Sequence, residues 1–200
     1  DILAPPVFAG LLSKTQSGLI LVTGATGSGK SSTLAALLSY INQHFRRHVI
    51  TLEDPVEFRH RSRQSLIRQR EIGRDCEDYQ QGLTAALRQD PDVIMLGELR
   101  DEAAIRLALT AAETGHLVLS TLHTRGAIAA IERLTDVFSG AEKNRVCSQL
   151  AGSLVAVLSQ HLVAKQGGGR CALFDVLINT PAVASLIRDN KAYQIASHQQ

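Results

Sequence analysis

Apolar residues along this chain alternate between two rhythms. Short, mostly apolar runs occur at Gly18–Thr23, His48–Glu53, Val93–Leu96 and Leu117–Leu122. Runs of that length predict strands buried on both faces of a parallel sheet. Between them the apolar residues fall at spacings of three and four, which predict amphipathic helices. One runs from Lys30 to about His44, with Leu34, Leu37, Leu38 and Ile41 on one face. A second covers 77–89, with Leu83, Ala86 and Leu87 inward, and a third covers 103–113, closed by Gly115 as its C′ residue. The turn Asp90-Pro91-Asp92 introduces the third strand. Strands alternating with helices predict an α/β fold: a mainly parallel central sheet with helices on both faces.

The two ends depart from this rhythm. Pro5-Pro6 reads as a linker end leading into a short helix that carries Val7, Phe8, Leu11 and Leu12. Residues 1–17 are therefore expected to be a linker and leading helix, and 18–200 the main domain. From about residue 126 that domain is expected to be mostly helical, with helices over 126–136, 142–158 and 181–190. Pro181 suits the first turn of the last one. Strands over 161–163 and 171–178, flanking Gly167-Gly168-Gly169, predict a β-hairpin. The start at Asp1 fits a fragment or a mature chain equally.

Composition narrows the picture only a little. The 200 residues are enough for one α/β domain with a proper core. No apolar run approaches the ~18 residues needed to cross a bilayer, and the first residues lack the basic start and apolar stretch of a secretory signal. The simplest expectation is a soluble cytoplasmic domain. A net charge of +2 gives no field that implies nucleic acid, and with 4% aromatics stacking platforms are scarce. Cys76, Cys147 and Cys171 are scattered and form no C-x-x-C pair, which argues against a zinc site or a disulfide framework.

The chemistry-bearing motif is Gly24-Ala25-Thr26-Gly27-Ser28-Gly29-Lys30-Ser31, followed by Ser32. It meets the G-x-x-x-x-G-K-S spacing in full, between an apolar strand and an amphipathic helix. The glycines let successive N–H groups curl toward phosphate oxygens, and the helix beginning at Lys30 adds the positive end of its dipole. Lys30 is expected to reach the β- and γ-phosphates, and Ser31 to ligate Mg²⁺. ATP with Mg²⁺ is the expected ligand.

In open parallel sheets ligands lie beyond the carboxyl ends of the strands. Two such ends carry acids: Glu53-Asp54-Pro55-Val56-Glu57 and Leu96-Gly97-Glu98. Glu57 and Glu98 are the candidates for base and metal partner, because phosphoryl transfer rests on positioning and charge neutralisation. His123, at the carboxyl end of the fourth strand, is a candidate γ-phosphate sensor, and His116 brackets the same strand. Residues 59–74 hold Arg59, Arg61, Arg63, Arg68, Arg70 and Arg74. They suit a nucleic-acid patch, arginines reaching a nucleotide between subunits, or a solvated loop and edge strand.

These motifs together resemble the ATPase domain of the type II and type IV secretion superfamily, and most closely its PilT-type pilus retraction ATPases. The boxes run in order: the phosphate loop; Thr51–Glu57; an atypical metal-binding segment, Asp90–Asp101, with Gly97 where an Asp usually stands; and Ala111–Thr124 with its two histidines. A late segment, Ala182–Asp189, keeps the frame of a retraction-motor motif but has Ala184 and Ser185 for the usual Arg and Asn. The four-cysteine zinc module of secretion members is missing. The resemblance implies a RecA-like P-loop NTPase domain that is the C-terminal half of a two-domain subunit. It further implies ATP hydrolysis by a homohexameric ring that powers pilus retraction, working on a platform protein at the cytoplasmic face of the inner membrane. Glu57, Glu98, Lys30, His123 and His116 are the residues it marks as catalytic. A non-hydrolysing scaffold and a secretion or DNA-uptake ATPase of the same superfamily are the alternatives.

Overall fold

The computed structural model describes residues 6–27 and 29–198; Ser28, the expected linker end at Pro5, and the side chains of Pro6, Val7, Ser197 and His198 lie outside the described residues. The order of elements is α1 (Pro6–Lys14), β1 (Gly18–Thr23), α2 (Lys30–His44), β2 (His48–Glu53), β3 (Leu66–Glu71), α3 (Tyr79–Leu87), β4 (Val93–Leu96), α4 (Glu102–Glu113) and β5 (Leu117–Leu122). Then come α5 (Ala127–Asp136), α6 (Gly140–Ser153), β6 (Leu154–Ala164), β7 (Arg170–Ile178), α7 (Pro181–Arg188) and a 3-10 helix over Ala192–His198. The strands form one sheet in the order β3-β2-β4-β5-β1-β6-β7. All neighbours are parallel except β6 and β7.

The runs are mostly apolar instead of alternating because each central strand is covered on both faces. Along β1, Ile20 and Val22 face α1 and α2, packing with Phe8, Leu34, Leu37 and Ile41. Leu19 and Leu21 face the opposite way, into a core built from α3 to α7. The chain leaves β1 through α2 on one face and returns across the other through α3, α4 and α5–α6. The winding therefore changes direction at the carboxyl end of β1, where an open α/β sheet forms its crevice.

The helix ends follow local chemistry. Asp78 caps α3 by accepting from the Gln81 N–H, and Asp101 caps α4 by accepting from the Ala104 N–H. Thr180 caps α7 in front of Pro181. Gly115 follows α4 at φ 106°, where only glycine is comfortable.

The last third corrects the sequence reading. The helix expected over 142–158 ends at Ser153, and residues 154–164 are strand β6. Tertiary pairing decides this: β6 lies parallel to β1, with Leu19 opposite Leu154 and Thr23 opposite Ser159. The β6–β7 hairpin is thus an integral edge of the main sheet. Gly167, Gly168 and Gly169 all take positive φ at its tip.

Candidate functional site

The carboxyl ends of β1, β2, β4 and β5 open on one edge of the sheet. Between them lies a cleft of about 460 Å³, whose lining includes Gly27, Gly29, Lys30, Ser31, Ser32, Glu57, Glu98 and His123. The phosphate loop leaves β1 at Gly24 and turns into α2 through Gly27 at φ 82° and Gly29 at φ 90°. Both angles lie in the left-handed region, so those glycines answer to the backbone. Gly24, Ala25 and Thr26 lie along a second hollow on the β6 side of the loop, and Thr26 reaches both.

Lys30 is 7% exposed, and its Nζ donates to the Gly24 carbonyl at 2.7 Å and contacts His123 Nδ1. Burial lowers its pKa, and the nearby Glu98 charge opposes the shift. A charged Lys30 donates to His123 Nδ1, which places the ring's N–H on Nε2. That nitrogen faces Glu98 Oε1 at 3.1 Å, while Arg100 Nε holds Oε2 at 2.6 Å. Glu98 raises the pKa of Arg100 through that bond. Loop cation, imidazole, carboxylate and guanidinium thus form one chain across the cleft.

Glu57 lies on the exposed wall of the cleft, in the segment after β2. Ser31 and Ser32, in the first turn of α2, face the same space. Among the described residues no three His, Cys, Asp or Glu side chains could hold a metal ion together. The hydroxyl of Ser31 and the carboxylates of Glu57 and Glu98 are nevertheless hard oxygen donors. They suit Mg²⁺, which keeps several waters and takes its other ligands from phosphates.

His116 is not brought to this cleft. It precedes β5 whereas His123 follows it, so the two sit at opposite edges of the sheet, about 23 Å apart at ~3.3 Å per residue. Its Nδ1–H donates to the Pro91 carbonyl at 2.8 Å, and its own carbonyl accepts from Gly18 N–H. These contacts join the turn before β4 to the starts of β5 and β1. Arg68 and Arg70 lie on β3, one of the two edge strands of the sheet.

Three residues of the site have no role assigned from the sequence: Tyr79 and Gln160 lie outside every box, and Glu53 lies inside the Thr51–Glu57 box without one. Glu53 ends β2, buried, and accepts from Thr51 Oγ1 at 2.8 Å and from Gln69 Nε2 at 3.1 Å. Burial pushes its carboxyl up despite both donors. Tyr79, at the start of α3, lines the cleft. Burial, with Asp54 next in effect, pushes its phenol up to about 12. A Cβ on Gly97 would lie 2.8 Å from Tyr79 Oη, which explains the glycine where an Asp usually stands. Gln160, on β6, packs against the phosphate loop. An apolar run flanked by polar residues marks a strand, but only the pairing with β1 shows which polar residue meets the loop.

Residues 7–200 match the family described as type II/IV secretion system protein. The uncharacterized protein YggR of Escherichia coli (strain K12) is 64% identical over 192 residues, covering 96% of this chain and 59% of that protein. The type IV pilus retraction ATPase PilT of Pseudomonas aeruginosa is 53% identical over 186 residues, covering 93% of this chain and 54% of PilT. A crystal structure of the pilus retraction motor PilT with bound ADP superposes with a TM-score of 0.93 at 46% identity, over 99% of this chain and 58% of that one. The chain thus spans little more than half the length of these relatives. With the family profile running over nearly all of its residues, and a cleft built from that profile's own segments, the chain belongs to the type II/IV secretion system protein family.

Proposed function

We propose that this chain is the RecA-like domain of a Mg²⁺-dependent ATPase motor, and that its work is pilus retraction by a ring of identical subunits. The observation that carries this is the convergence of the phosphate loop, Glu98 and His123 on one cleft, joined through Lys30. The identity to PilT supports the pilus assignment. In this reading residues 18–200 form the ATPase domain, and 1–17 lead into it from a preceding domain. The ring acts on a platform protein at the cytoplasmic face of the inner membrane. Among the described residues no helix is long and apolar enough to cross a membrane.

The phosphates lie along the N–H groups of residues 24–31 and the amino end of α2. Lys30 turns from the Gly24 carbonyl to the β- and γ-phosphate oxygens, whose charge favours its ammonium form against the cost of burial. Ser31 and Glu98 would hold Mg²⁺ and its water, and a bound ion would supply charge neutralisation for phosphoryl transfer. Glu57 orients the attacking water from the open wall. His123, bridging Lys30 and Glu98, registers the γ-phosphate by the rearrangement of that bridge. His116 is placed to relay a shift of β5 toward β4 through its bond to Pro91, not to touch nucleotide within its own subunit.

The test is steady-state phosphate release by the full-length protein, with sedimentation to define its assembly. Wild type turns over, Lys30→Ala abolishes turnover and weakens nucleotide binding, and Glu57→Gln retains binding with turnover reduced at least a hundredfold. Unchanged turnover in Lys30→Ala overturns the mechanism.

A further inference from the structure

Gln160 makes a contact that the reaction scheme above does not use. It is 4% exposed and is the last buried residue of β6 before the arms of the hairpin emerge into solvent. Its Oε1 accepts from Thr33 Oγ1, in the first turn of α2. Its Nε2 lies 2.9 Å from the place a Cβ would take on Gly29, so the amide plane sits directly against the phosphate loop. One residue earlier, Ser159 Oγ and Thr23 Oγ1 are 3.3 Å apart across the β1–β6 pair. Thr33 N–H in turn donates to the Gly29 carbonyl at 3.0 Å, which closes the first turn of the helix that follows the loop. A side-chain amide therefore clamps the junction between loop and helix from the neighbouring strand. The hydroxyl of Thr33 sets its orientation, oxygen toward the helix and nitrogen toward the loop.

We propose that Gln160 is a positioning residue of the phosphate loop: it holds the Gly29–Thr33 turn in the geometry that receives the β-phosphate, and so ties nucleotide affinity to the β6–β7 hairpin. The inference rests on the nucleotide-binding reading of the loop. The loop's N–H groups bind an oxyanion only while they converge, and a turn that enters α2 through a left-handed glycine has few local bonds to hold it. A buried amide that contacts both sides of the turn supplies that constraint from outside.

The experiment is a double-mutant cycle on the full-length protein with Gln160→Leu and Thr33→Val, read by calorimetric titration with Mg·ADP. Each single substitution weakens ADP binding roughly five- to thirtyfold, the range of one buried hydrogen bond lost from a partner. The double variant is no weaker than the weaker single, because both remove one contact. Gln160→Glu does not restore the affinity lost in Gln160→Leu: its carboxylate still accepts from Thr33, but it sets a negative charge where the amide nitrogen faced the loop. Hydrogen exchange without nucleotide gives a second readout: amides of residues 29–33 exchange faster in Gln160→Leu, while those of β1 and β5 do not change. Strictly additive losses, or wild-type ADP affinity in Gln160→Leu while Lys30→Ala binds weakly, overturn the proposal and leave the loop's role standing. Failure of wild type itself to bind ADP overturns both.

Discussion

Replacing Gly97 by Ala tests the most unusual position of the site. The backbone there is not in the left-handed region. Alanine is thus allowed by conformation, and stiffening the unfolded chain alone would stabilise by about 0.4–1 kcal/mol. Against that, the new methyl meets Tyr79 Oη at 2.8 Å, with the Leu52 carbonyl at 3.5 Å and Glu53 Cα at 3.7 Å. The phenol lines the cleft, but its ring packs partly buried against the core, which limits how far it can swing. Overpacking of this kind costs about 1–3 kcal/mol, so the clash wins and Gly97→Ala is destabilising by about 1–2 kcal/mol net. For a chain of 200 residues that lowers Tm by roughly 2–8 °C. Tyr79→Phe removes the clashing oxygen at a cost of no more than about 1.5 kcal/mol. Gly97→Ala/Tyr79→Phe is then more stable than the sum of the singles predicts, by at least about 1 kcal/mol. Urea unfolding of all four proteins, followed by circular dichroism, gives the cycle. Additive losses would refute the claim that the phenol excludes a side chain at Gly97.

Three further outcomes follow from the same contacts. Burial raises the Glu53 pKa above its ordinary value of 4.5, so the folded state binds the extra proton between that value and the raised one. Stability therefore falls as pH rises through that window, and Glu53→Gln flattens this part of the stability–pH curve from thermal melts at stepped pH. Asn179 Nδ2 donates to the Ala151 and Leu154 carbonyls at 2.9 and 2.8 Å, where α6 passes into β6. Asn179→Ala strands both acceptors and costs about 1–3 kcal/mol in urea unfolding. Gly18→Ala forces a φ of 120° on an L residue and puts its Cβ 2.7 Å from the Ser153 carbonyl oxygen. It should cost more than about 3 kcal/mol or prevent soluble expression, whereas Gly73→Ala has space around it and pays only for its positive φ.

The central sheet was legible because burial on both faces writes itself into short, mostly apolar runs. β6 was not, for a reason visible in its residues. Val146, Leu150, Leu154, Val157 and Leu158 fall at helical spacing. Local pattern therefore extends α6 by five residues, and only the pairing with β1 breaks it. β3 carries no such run: its charged, half-exposed residues record an edge and little else. In the site, residues fixed by a local motif were readable, because the loop glycines, Lys30 and Glu98 lie directly at strand ends. Tyr79 reaches the cleft, and Gln160 the β6 side of the phosphate loop, through long-range packing, which spacing along the chain does not encode. The family resemblance groups His116 with His123, but a strand of six residues between them sends the two to opposite edges.

Glu98→Gln bears most directly on the claim that this cleft is built for hydrolysis and not for binding alone. Its carboxylate is fixed by Arg100 and His123, and the amide keeps the shape while removing the charge. ATP affinity and phosphate release measured side by side on the full-length protein should separate the two roles. ATP affinity should stay within about threefold of wild type while turnover falls at least a hundredfold. Turnover like that of wild type would mean that the Glu98 charge does not serve hydrolysis, and loss of ATP binding would make Glu98 a structural support of the cleft.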